Sequence, residues 1–129
     1  LQSQEPESSS PKFKGVRRRI KPADGQAAIS AVQAGDESQL ATAVRFLLEE
    51  LGSVAPGNTV EVRVPPLGAV QCVQGPRHTR GTPPNVVEMT PEVWFALAVG
   101  DLEWDQALAA GQIHASGTRA EIKEHLPLV

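Results

Sequence analysis

From Asp36 to Gly52 the chain reads DESQLATAVRFLLEELG, and Leu40, Ala43, Val44, Leu47, Leu48 and Leu51 recur at the spacing of a single helix face. Gln39, Thr42, Arg45, Glu49 and Glu50 occupy the other face, so the segment is an amphipathic helix that needs a partner for its apolar stripe. Asp36 is the expected N-cap, Gln39 the residue closing a capping box, and Gly52 the expected stop. A few residues later TVEVRV alternates strictly, placing Val60, Val62 and Val64 on one face and Thr59, Glu61 and Arg63 on the other. A helix with one apolar stripe beside a strand with one apolar face can be stabilised only by stacking the two in layers.

The flanking segments extend that layering. PPLG turns the chain into AVQCVQ, a second strand with Val70 and Cys72 on one face and Ala69, Gln71 and Val73 on the other, which predicts an antiparallel hairpin. NVVEM is a candidate third strand. Upstream, DGQAAISAVQAG predicts a short helix capped by Asp24 and stopped by Gly35. Downstream, TPEVWFALAVG has Thr90 as N-cap, Pro91 at the first helical position, Glu92 in the first turn and Gly100 just past the end. EWDQALAAG predicts a short helix closed by Gly111, and QIHAS a strand presenting Ile113 and Ala115 to one side. TRAEIKEHL predicts a final helix with Thr118 and Glu121 as its capping box and Ile122 and Leu126 on its apolar face. The order is helix, two or three strands, two helices, strand, helix, and the fold class is α+β with helices packed on one face of a sheet.

A chain of 129 residues suits one domain. Residues 1–20 are rich in Ser, Glu, Gln, Pro and Lys and carry the basic run Arg17, Arg18, Arg19, so they are read as a disordered, partly basic tail ahead of a domain spanning 21–129. The basic run is read as a solvated domain edge rather than a phosphate contact. The longest apolar runs, such as VWFALAV from Val93, fall far short of the roughly 20 residues needed to span a bilayer, so no stable membrane insertion is expected. A formal charge of −3 gives no indication of nucleic-acid binding. Cys72 is the only cysteine, which excludes an internal disulfide. No apolar signal-peptide core follows Leu1, and with the single cysteine this favours a reducing cytoplasm. A monomer is expected.

Candidate chemistry is sparse. His78, His114 and His125 lack the paired or helical spacing of metal ligands, so no metal and no cofactor are expected. Cys72, within a strand beside Val70, reads as a small buried hydrophobe rather than a nucleophile. There is no serine elbow and no glycine-rich phosphate loop, so no catalytic residues are assigned and a non-enzymatic role is expected. GPRHTRGTPP from Gly75 is the most distinctive loop, with Arg77, His78 and Arg80 free of acidic neighbours and able to offer donors to a carboxylate or phosphate. Its three prolines fit a stiff solvated connection equally well.

The C-terminal stretch TPEVWFALAVGDLEWDQALAAGQIHASGTRAEIKEHLPLV resembles the end of a sterol carrier protein domain. The shared pattern is a helix, a glycine turn, a short A-L-A-A-G helix, an I-x-A-S-G strand and a closing helix. With VEVRVPPLGAVQCVQGPRHTRGTPPNVVE ahead of it, the chain from about 24 to 129 resembles the actinobacterial sterol carrier family. Ala115 to Gly117 depart from the family's usual Gly-Asp, and the strands are fewer or shorter than in the animal domain. The resemblance implies a curved, mostly antiparallel sheet under helices, with an apolar tunnel between them for a hydrophobic small molecule such as a lipid, a sterol-like molecule or a fatty acyl chain.

On that basis Val62, Val64 and Val70 on the sheet and Trp94, Leu97, Trp104 and Leu108 on the covering helices are the expected lining, with Arg77, His78 and Arg80 at a charged end. The same apolar residues serve equally as a packed core. Two rival readings follow: a filled-core domain that docks an acidic protein partner through its basic loop, or an accessory domain of an enzyme. Salt separates the first of these from the carrier. Binding through the loop should weaken steeply between low and high ionic strength and with Arg77→Ala plus Arg80→Ala, whereas acyl-chain binding, followed with a fluorescent fatty acid, should hardly respond.

Overall fold

The computed structural model describes residues 18–75 and 85–129. It contains helices α1 (Pro22–Gln33), α2 (Leu40–Val54), α3 (Pro91–Val99) and α4 (Trp104–Ala109) and strands β1 (Val60–Val64), β2 (Gly68–Cys72), β3 (Asn85–Glu88) and β4 (His114–Ser116). The four strands form one sheet in the order β2-β1-β3-β4. The expected hairpin is present, with Val62 opposite Val70 and Val60 opposite Cys72. β3 and β4 are also antiparallel, whereas β1 and β3 pair in parallel, Val62 opposite Val87, so the sheet is mixed at its centre.

The alternation in TVEVRV is realised from Val60 to Val64, whereas Thr59, expected on the wet face, precedes the strand and is buried. Val60, Val62, Val64, Cys72 and Val87 are buried on one face, while Glu61 and Arg63 form an ion pair at 3.0 Å on the other. α2 lies against β2 and α3, and α1 packs on α2. Val44, Leu47 and Leu51 from α2 and Trp94 and Leu97 from α3 are 0 to 1 % exposed. Each contributes on the order of 1.5–3 kcal/mol by leaving water. The Trp94 indole N–H donates to the Val44 carbonyl at 3.3 Å, so the largest side chain in the core leaves no unpaired donor.

Several helix ends differ from expectation, each because a nearer partner is available. α1 starts at Pro22, two residues before Asp24, with Lys21 at the N-cap, because proline presets the first helical φ and needs no donor partner. The Asp36 carboxylate accepts from the backbone N–H and the hydroxyl of Ser38, closing a short 3₁₀ turn at Glu37–Gln39, so α2 begins at Leu40 and no Asp36–Gln39 capping box forms. Gly52 does not end α2, which runs to Val54 because burial of Leu51 and Ala55 holds its last turn. Thr90 caps α3 as expected, accepting from Val93 N–H at 3.3 Å, and Gly100 ends it with a left-handed φ of 87°.

The predicted last helix is only a 3₁₀ turn, Lys123–His125. Arg119 N–H donates to the buried Asn85 Oδ1 at 2.8 Å and Glu121 N–H to the Arg119 carbonyl rather than to Thr118, so no Thr118–Glu121 box forms. Ile122 is buried and Leu126 packs against the core, as their apolar character requires. Ile113 is buried too, but Ala115 on the short edge strand β4 is exposed rather than sharing its environment.

α1 crosses α2 at a close approach that only glycine allows. A Cβ on Gly25 would collide with the Phe46 ring, and the Arg18 guanidinium covers that ring at 5.7 Å from its centroid. Gly25→Ala should therefore lower stability by about 1–3 kcal/mol in urea unfolding, despite alanine's better helix propensity. The cost should shrink measurably in a Phe46→Leu background.

Candidate functional site

The residues expected to line a tunnel divide into three groups. Val62, Val64 and Trp94 have no exposed surface and Leu97 has 1 %, so in this conformation they interlock and adjoin no void of water size. Trp104 is buried among them at 5 %. Val70, at 8 %, reaches a groove at the edge of the sheet. Leu108 lies apart, 43 % exposed, at a shallow cleft of about 490 Å³ between α4 and the β4 edge, beside Val86, Glu88 and His114. Arg77, His78 and Arg80 lie outside the described residues.

The groove at Val70 is bounded by α2, by β2 and by the segment leading into α1, and encloses about 520 Å³. Ligand sites for small molecules commonly hold roughly 300–1,000 Å³. Its apolar surface comes from Ile20, Leu48, Leu67 and Val70, and Gly68 keeps the strand bare where it faces α2. A Cβ on Gly68 would stand 3.6 Å from Leu48 Cδ1, so a larger side chain there would grow into the groove.

The lip is polar, and its parts are held in place. Arg45 Nε donates to the Leu67 carbonyl at 3.0 Å, fixing the guanidinium across the groove. The Glu49 carboxylate accepts from the backbone N–H groups of Arg19 and Ile20 at 3.2 and 3.3 Å, tying the entering segment to α2. Arg18 pairs with Glu50 at 2.7 Å. The basic run is thus not merely a solvated edge: Arg18 is engaged and Arg19 lines the groove. Among the described residues neither Arg19 nor Arg45 has a carboxylate partner.

The edge strand adds backbone groups. The Arg63 carbonyl accepts Met89 N–H at 3.1 Å, so Arg63 turns its backbone toward β3 and the neighbouring Val62 and Val64 turn theirs toward β2. Ala69 and Gln71 then direct their N–H and C=O away from β1, into the free edge that borders the groove.

Sequence reasoning placed Val70 at the site but missed Ile20, Arg19, Leu48, Leu67 and Arg45. Leu48 was legible as part of the α2 stripe, and Arg45 stands one turn before Glu49 on its wet face. Nothing in the sequence alone brings Leu67 or Arg19 to either of them.

Cys72 is fully buried and its thiol pKa is pushed up to about 12 by loss of hydration. The neutral thiol is inert as a nucleophile. Among the described residues no three His, Cys, Asp or Glu side chains converge as a metal site would require, and no helix is long and apolar enough to cross a membrane.

The elements together form an α+β domain, a sheet covered by helices with an apolar groove between sheet edge and helix. The family of bacterial SCP orthologues, SCP being sterol carrier protein, matches residues 36–128, and the chain belongs to it. That match begins just after α1 and supports lipid binding in a general sense. Domains of this family are generally carriers rather than catalysts. No curated protein matches the chain.

Cys72 yields a pH prediction. The folded state keeps the thiol protonated to about pH 12, whereas an exposed thiol in the unfolded chain ionises near 8.5. The contribution is complete below the unfolded pKa and is lost as pH rises toward the folded one. Unfolding free energy from urea titrations should fall between about pH 9 and 12, by up to about 1.4 kcal/mol per pH unit from this group. Cys72→Ala should flatten that slope.

Proposed function

We propose that this domain binds and carries an amphipathic hydrophobic ligand, without chemical conversion, in the groove between α2 and β2. The observation that carries the reading is the 520 Å³ groove whose apolar floor lies between sheet and helix and whose lip is polar. Burial of the ligand's chain against Ile20, Leu48, Leu67 and Val70 would supply affinity at about 0.8 kcal/mol per methylene. Val62, Val64, Trp94, Leu97 and Trp104 form the packed wall behind it, and a longer chain would have to part them to advance. The proposed working unit is a cytoplasmic monomer comprising residues 21–129, with Arg77, His78 and Arg80 as a further candidate contact for a charged end.

Two measurements test the reading. Organic extraction of the purified protein followed by mass spectrometry should release lipid. In calorimetric titrations, affinity for a series of single-chain amphiphiles should rise about three- to fourfold per methylene and level off once the groove is filled. Gly68→Leu, which places a side chain in the groove, should weaken binding at least tenfold while leaving unfolding free energy within about 1 kcal/mol. An empty extract together with flat titrations would exclude the carrier function.

A further inference from the structure

The lip of the groove carries more information than its floor. Among the described residues Arg45 commits only its Nε, to the Leu67 carbonyl, which orients the planar guanidinium and leaves its terminal nitrogens as donors. Arg19 is held nearby through its backbone N–H by Glu49 rather than through its side chain. Ala69 and Gln71 turn backbone N–H groups to the same edge. The one acid in the lining, Glu49, spends its carboxylate on the neutral N–H groups of Arg19 and Ile20, so two cations face one anion in the groove.

From this arrangement we infer that the groove, if it is the carrier site proposed above, selects a single-chain amphiphile with an anionic head over a neutral alcohol or sterol. Arg45 is the headgroup anchor, Arg19 a second cation, and Glu49 the residue that limits affinity. A planar guanidinium suits a carboxylate or a phosphate, since both offer two oxygens to its paired N–H groups. A neutral hydroxyl head leaves one such pair unmatched and gains nothing from the excess positive charge. The inference rests on the carrier reading but can fail alone.

The test compares decanoate, decyl phosphate and decanol, three ten-carbon probes with the same tail, titrated below their aggregation thresholds into the full chain. At low ionic strength at least one anion should bind five- to tenfold tighter than decanol. Arg45→Gln should abolish that ratio by lowering anion affinity, and Arg19→Gln should reduce it. Glu49→Gln, which keeps an oxygen to accept from Arg19 and Ile20, should raise anion affinity two- to fivefold. Urea unfolding of each variant confirms that the fold is retained. Preference for decanoate identifies the head as a fatty carboxylate, and preference for decyl phosphate identifies it as a phosphate monoester. Equal binding of all three probes, or a ratio insensitive to Arg45→Gln and Arg19→Gln together, overturns the inference while the carrier reading stands. Absence of binding by any probe removes both.

Discussion

The apolar stripe of α2 and the valine face of the sheet are each unstable in water alone, and most of what the domain does follows from their need to cover one another. Val44, Leu47 and Leu51 on the helix and Val60, Val62 and Val64 on the sheet are left with no residual exposure, and Trp94 of α3 joins α2 through the Val44 carbonyl. α1 closes over the outside of α2 only because Gly25 lets its backbone reach the Phe46 ring. The core so formed is dense: among the described residues Val62, Val64, Trp94 and Leu97 keep at most 1 % of their surface exposed.

The same constraint explains where room remains. A helix laid across a four-stranded sheet cannot cover both edges equally, and among the described residues no further strand lies beyond β2 to support side chains. Leu48 and Val70 therefore form the floor of a groove rather than the middle of a core. Glycine at 68 keeps that gap from closing, and the contacts of Arg45 with Leu67 and of Glu49 with the segment entering α1 hold its lip. The chain's family supports lipid binding in general, and this groove is the place proposed for it.

Polar groups elsewhere serve assembly. Asn85, buried at the start of β3, donates to the Thr59 carbonyl at 2.9 Å and accepts from Arg119 N–H, fastening three chain segments at one end of the sheet. The burial of Cys72, which raises its pKa, likewise marks the thiol as part of the packing rather than of any reaction.

Residues a few positions apart determined much of this protein without help from distant contacts. The period in DESQLATAVRFLLEELG and the alternation in TVEVRV specified a helix and a strand with their inward faces, and Thr90, Pro91 and Gly100 bounded α3. These features are legible because a side chain's direction in a regular element depends only on its place in the repeat. The pattern does not encode what lies across the gap. The parallel pairing of β1 with β3, the shortening of the last helix to a 3₁₀ turn and the choice of Val70 rather than Val62 or Val64 as a groove residue were decided by tertiary structure. So was the meeting of Arg19, Arg45 and Leu67, which are far apart in the chain. Each of these depends on which surfaces run out of partners once the core is filled, and that is a property of the packed whole.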